Sequence, residues 1–161
     1  MKGAYNMKKT RYYIAYGSNL SLRQMAARCL DAKVVGKGIL LDWRLVFKVH
    51  ATIEPAEGYY VPVLIWAISE ADERSLDHYE GFPKYYIKQN IPVTAHSLDG
   101  KHHKRITGMV YIMTDIRTEL TPPVASYYAT IYEGYDRFNF DKQILRDAAA
   151  DAFMHRKAGN D

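Results

Sequence analysis

Tyr16-Gly17-Ser18-Asn19-Leu20 lies between a strand-like run and a helix start, and its small residues leave the backbone N–H groups accessible. Consecutive amides in a tight turn, backed by the positive end of the following helix, can hold a carboxylate or a developing oxyanion. Gly17 permits close backbone approach, while Ser18 and Asn19 add short polar groups. The same residue types favour a plain strand-to-helix turn, so the pattern taken alone leaves both readings open. A second candidate is Glu80, in Leu76-Asp77-His78-Tyr79-Glu80-Gly81-Phe82-Pro83. Partial burial and the negative end of a helix both disfavour an ionised carboxylate, moving a glutamate up from ~4.3 towards the range useful to a general base at neutral pH. A surface acid at a helix end is the alternative. Asp77 and His78 are rival bases, although neither stands at the helix exit before the glycine.

Other chemistries find less support. No Ser-His-Asp or Cys-His set stands out. The single cysteine, Cys29, falls on the apolar stripe of a helix and reads as core, and it rules out an internal disulfide framework. His50, His96, His102, His103 and His155 lack metal-ligand spacing, so no metal and no cofactor are expected.

These residues need elements to position them. Arg11 to Tyr16 reads as a first strand ending at Gly17. Ser21-Leu22-Arg23-Gln24 matches a capping box, with Leu22, Met25, Ala26 and Cys29 following at helical spacing. Gly38 to Lys48 and Val61 to Ala67 read as buried strands, with Ala51 to Tyr60 as a connection. Ser69 caps a helix to Glu80, which Gly81 and Pro83 end. Tyr85 to Ala95 and Arg105 to Thr114 read as strands joined through the Asp99-Gly100 turn. Thr121-Pro122 predicts an N-cap with proline at the first helical position, for a helix running to Gly134. A last helix spans about Asp141 to Arg156, with Ile144, Leu145, Ala148 and Ala152 on one face. Five strands and four helices without strict alternation predict an α+β fold, a mixed-strand sheet curled into a small barrel with flanking helices.

The chain's 161 residues suit a single domain, 1–161, with a core at about 11–156, and 48% hydrophobic residues suit a packed interior. Met1 to Asn6 carry no pattern, and Met7 could serve as an alternative start. A formal charge of +4 raises nucleic acid as a partner, but 22 basic residues are interspersed with 18 acidic ones rather than forming a stripe. The densest basic run, Lys101 to Arg105, fits a solvated hairpin tip. The first ten residues lack the apolar stretch of a signal peptide, and no window approaches the ~18 apolar residues of a membrane span. The expectation is a cytoplasmic protein, monomer or homodimer, that engages neither membrane nor nucleic acid. Fourteen tyrosines suit a ligand pocket as well as ordinary strands.

The ordered combination of motifs resembles the γ-glutamyl cyclotransferase-like family, including its avirulence-induced plant relatives. It comprises Tyr16-Gly17-Ser18-Asn19-Leu20, then Ala51-Thr52-Ile53, then Leu76-Asp77 with Glu80-Gly81, then Tyr86, with a weaker late match in Pro123, Tyr127 and Gly134. The resemblance covers roughly residues 12 to 135. It implies a mixed-strand barrel, a substrate pocket formed at Tyr16, Gly17, Ser18, Asn19 and Leu20, Glu80 as acid/base, and Tyr86 and Tyr127 lining the pocket. Tyr127 could exchange roles with Tyr128 through a one-residue register error, and core packing is the alternative for each tyrosine.

The implied reaction is an intramolecular acyl transfer. The α-amine of a γ-glutamyl compound attacks its own γ-carbonyl to give 5-oxoproline and a released amine, which explains why no nucleophilic side chain is needed. γ-Glutamyl amino acids, glutathione and γ-glutamyl-amines such as isopeptide fragments all fit, although the short Phe82-Pro83-Lys84-Tyr85 connection is expected to narrow the leaving-group side. A non-catalytic small-ligand-binding or regulatory protein of the same fold is the alternative.

Overall fold

Two long strands dominate the architecture, each carrying an apolar stretch of Val, Ile, Leu, Trp or Phe that is buried in the barrel. The computed structural model describes residues 10–158, so Met7 lies outside the described residues. In chain order the elements are β1 (Arg11–Ala15), a 3₁₀ turn (Ser18–Leu20), α1 (Leu22–Arg28), β2 (Lys33–Lys48), β3 (His50–Ile68), α2 (Glu70–Glu80), β4 (Tyr86–His96), β5 (His103–Met113), α3 (Ala125–Arg137) and α4 (Lys142–Ala158). The strands close into a barrel in the order β1-β3-β2-β4-β5. The expected curled mixed sheet is therefore present: β2/β3, β1/β3 and β4/β5 pair antiparallel, and β1 meets β5 in parallel at Tyr13↔Met109.

The β2/β4 seam closes on a single bridged pair, Lys37↔His96, as the β1/β5 seam does on its own. A Cβ on Gly36 would lie 2.2 Å from the His96 carbonyl oxygen, so glycine allows the two backbones to meet there. Val61, Val63, Leu64, Ile65 and Trp66 of β3 are all buried, with Leu145, Ala148 and Ala152 of α4 also in the core. α4 packs against β2, and α3 against the 3₁₀ turn.

Four expectations need correction. Ala51 to Tyr60 is no connection but most of the first half of β3, paired with β2 from Trp43↔Pro55 to Lys48↔His50. Glu54, Pro55, Glu57 and Gly58 look like loop composition, yet the Arg44–Glu54 ion pair at 2.5 Å and the cross-strand ladder override it. Within Ala51 to Tyr60 the irregularity is a bulge in which Asp42 faces Ala56 to Tyr59, its Oδ1 accepting the Gly58 amide at 3.0 Å. Thr121 does not cap α3, which starts at Ala125 after Val124. Instead the Thr121 amide donates to the Phe47 carbonyl at 2.9 Å and its own carbonyl accepts from Val49 at 3.0 Å. Each residue before a proline is pushed towards extended backbone, which keeps Thr121 and Pro122 out of the helix. The box at Ser21 is half formed: Ser21 Oγ accepts the Gln24 amide at 3.1 Å, but the Ser21 amide donates to the Ser18 carbonyl at 3.1 Å in the preceding turn. Ala26 is exposed rather than on the buried stripe.

Candidate functional site

β1 delivers the chain to Gly17, where it tightens into the 3₁₀ turn, with the Leu20 amide donating to the Gly17 carbonyl at 3.0 Å. The amides of Gly17, Ser18 and Asn19 precede the first bond of that turn and meet no backbone acceptor among the described residues. Asn19 fixes the loop from within. Its Nδ2 donates to the Tyr13 hydroxyl at 2.9 Å, its Oδ1 accepts from Arg28 Nη1 at 2.9 Å, and its carbonyl accepts from Trp66 Nε1 at 3.1 Å. Leu20 points the other way: it is fully buried, outside the cavity lining, and packs where a Cβ on Gly134 would come within 2.5 Å of its own. Its side chain therefore anchors the loop to α3 and is not placed to touch a substrate.

α2 delivers Glu80. Ser69 and Asp72 form the reciprocal capping box at its start, and Gly81 closes it in the left-handed conformation at φ 67°, with the Phe82 amide reaching the Asp77 carbonyl at 2.9 Å. A Cβ on Gly81 would also strike the Tyr85 ring at 2.7 Å. Glu80 is thus the last helical residue, its side chain turned into a cavity of about 580 Å³.

Tyr16, Gly17, Ser18, Asn19, Glu80, Tyr86 and Tyr127 all line that one cavity. The tyrosine hydroxyls are held by backbone. Tyr16 donates to the Tyr111 carbonyl at 2.6 Å, Tyr86 donates to the Ala51 carbonyl at 2.8 Å, and Tyr127 accepts from the Ala51 amide at 3.0 Å. Ala51, within the Ala51-Thr52-Ile53 motif, is the shared backbone anchor. Tyr128 lies outside the lining, tilted against Phe47 and Tyr132. Asp77, a rival base from the sequence, is also outside: its Oδ1 accepts from the Tyr111 hydroxyl at 2.6 Å and its Oδ2 from Lys88 at 3.0 Å. His78 lines the cavity but is exposed.

The electrostatics separate these groups. Removal from water pushes the Glu80 carboxyl up from its ordinary value to about 7, against the opposing pull of the Arg28 guanidinium. Among the described residues no cation lies within ion-pair distance of Glu80. Burial likewise raises Tyr16, Tyr86 and Tyr127, the last to about 12, so all three are neutral hydroxyls near pH 7. Cys29 is buried and raised to about 12 by desolvation, in keeping with a core thiol. Among the described residues no three His, Cys, Asp or Glu side chains gather to hold a metal ion, and no helix is long and apolar enough to cross a membrane.

Sequence reasoning missed Arg28, His50 and Arg117, which also line the cavity. Arg28 reads as an ordinary cation in the last turn of a helix, and Arg117 lies in an irregular connection. Only the fold brings them to Glu80 and the loop.

The family model described as gamma-glutamyl cyclotransferase, AIG2-like, matches residues 13–130. A solved structure of a gamma-glutamyl cyclotransferase is 26% identical, with a TM-score of 0.71 over 88% of each chain. An uncharacterized protein from Homo sapiens is also 26% identical, with a TM-score of 0.70 over 89% of this chain and 88% of its own. YkqA from Bacillus subtilis shares the fold at 19% identity and a TM-score of 0.69, over 94% of this chain and 57% of its own. No curated protein sequence matches the chain significantly.

Proposed function

Because the chain belongs to the AIG2-like gamma-glutamyl cyclotransferase family, we propose that it is an enzyme that cyclises the glutamyl group of a γ-glutamyl amino acid or γ-glutamyl-amine. The products are 5-oxoproline and the released amine. The observation that carries this reading is that Glu80 and the Gly17 to Asn19 loop line one cavity, with the Glu80 carboxyl raised to about 7. Opposite faces of the molecule would have removed it.

The chemistry follows from matching proton affinities. The substrate's α-amine has a pKa of ~8 and attacks only when neutral. A carboxylate near 7 takes that proton with little penalty, whereas one at an ordinary value would be a much weaker base. The amine then adds to the γ-carbonyl, the C–N bond to the leaving group breaks, and Glu80 returns the proton to the departing nitrogen. Loop amides and the Tyr127 hydroxyl, whose proton is not spent on a backbone carbonyl as those of Tyr16 and Tyr86 are, are the donors available to negative charge on the carbonyl oxygen or the substrate carboxylate. Holding amine and carbonyl in near-attack geometry supplies much of the remaining acceleration, since intramolecular ring closure has a large effective molarity.

Release of 5-oxoproline from a panel of γ-glutamyl amino acids, glutathione and γ-glutamyl-amines tests the reading. Glu80→Gln should lower turnover by ~10²–10⁴ while preserving substrate affinity. Wild-type protein that binds a panel member yet releases no 5-oxoproline would establish a non-catalytic binding protein instead.

A further inference from the structure

The cavity carries more positive charge than its base requires. Two guanidinium groups line it, Arg28 and Arg117, against one carboxylate, Glu80, and neither arginine has an acid within 4.0 Å among the described residues. Arg28 is accounted for locally, bonded to Asn19 Oδ1 at 2.9 Å and stacked 4.3 Å over the Tyr79 ring, beside the loop and Glu80. Arg117 hangs from a different wall. Its one side-chain hydrogen bond among the described residues is a long contact from Nη1 to the Lys48 carbonyl at 3.5 Å, and it is half-buried. It stands near His50, whose pKa is lowered first by burial and then by this guanidinium, so the imidazole next to it stays neutral.

We infer that Arg117 reads a free carboxylate on the leaving group, which makes the substrate class γ-glutamyl amino acids or short peptides rather than γ-glutamyl-amines whose leaving group lacks a carboxylate. This rests on the cyclotransferase reading above. A γ-glutamyl amino acid carries a carboxylate at each of its two ends. Its glutamyl carboxylate belongs on the side of the loop and Arg28, next to Glu80, and the second carboxylate then meets Arg117. The planar fork of a guanidinium suits a carboxylate bidentately, and partial burial strengthens the pair. A neutral leaving amine leaves Arg117 unpaired, and a cationic one is repelled.

The test compares γ-glutamyl-alanine with γ-glutamyl-alaninamide, which differ only in the leaving group's charge. Turnover is read in wild type and Arg117→Gln, and affinity for both compounds by calorimetry in Glu80→Gln and in wild type. Wild type should favour γ-glutamyl-alanine by about 10- to 100-fold in kcat/KM, and Arg117→Gln should collapse that ratio to within about threefold. A wild-type ratio near one, or an Arg117→Gln variant that slows both compounds equally, overturns the assignment. Should neither compound yield 5-oxoproline while the calorimetric preference persists, the cyclotransferase reading falls and the role of Arg117 in recognition stands. Failure of both compounds to bind overturns both.

Discussion

Glu80 is held in a setting that works against its own charge. Its carboxyl is raised from 4.5 to about 7 by desolvation, so the native state binds this proton more tightly than the unfolded chain does. Stability from that proton is complete below about 4.5 and is lost as pH rises through about 7. Above pH 7 the ionised group therefore costs the fold roughly 2 kcal/mol after allowance for partial solvent access. Glu80→Gln should melt at a higher temperature than wild type at pH 8 and at the same temperature at pH 4.5. Equal melting points at pH 8 would mean the carboxylate is well solvated and too weak a base. The same ionisation predicts that kcat/KM falls on acidification through about pH 7, a limb replaced in the variant by one at the substrate amine's own pKa of ~8.

At the level of elements, the contact of α3 with the loop governs how well the loop is placed. Glycine in the middle of a helix ordinarily costs about 1 kcal/mol relative to alanine, so Gly134→Ala would stabilise an isolated helix. Here the added methyl meets Leu20 at 2.5 Å in a fully buried contact, and overpacking should prevail. The expected outcome is a net loss of about 1–2 kcal/mol by urea denaturation, with a raised KM as the loop shifts. A stabilised variant would show that α3 and the loop are loosely coupled. The legibility of each element in the sequence tracks how local its determinants are. Ser69, Asp72 and Gly81 lie within the segment they define, and the helix end at or just before Glu80 is legible from them. The cavity's walls were not, because Arg28 and Arg117 join it only through strand pairing and helix docking. Tyr127 and Tyr128 differ by about 100° around one helix, a distinction that composition does not carry and the Ala51 hydrogen bond does. Ala51 to Tyr60 misled for a related reason, since its pairing partner is defined by the hairpin rather than by its own residues.

Over the whole molecule, the barrel is only as closed as its glycine-mediated seam between β2 and β4. Gly36→Ala would place a methyl 2.2 Å from the His96 carbonyl oxygen, in backbone that cannot rotate away. A loss of about 3 kcal/mol is expected, read as a shifted urea midpoint with faster amide exchange along β4. An unmoved midpoint would show that the seam is slack. Closure also fixes β3 beneath the loop, and through it Trp66, whose indole N–H ends on the Asn19 carbonyl. The chain has two tryptophans, and the other, Trp43, sits half-buried next to the β2 bulge. In a Trp43→Phe background the remaining emission comes from a single indole wired to the substrate loop, so the fold supplies a built-in optical probe of whether that loop moves when its pocket fills.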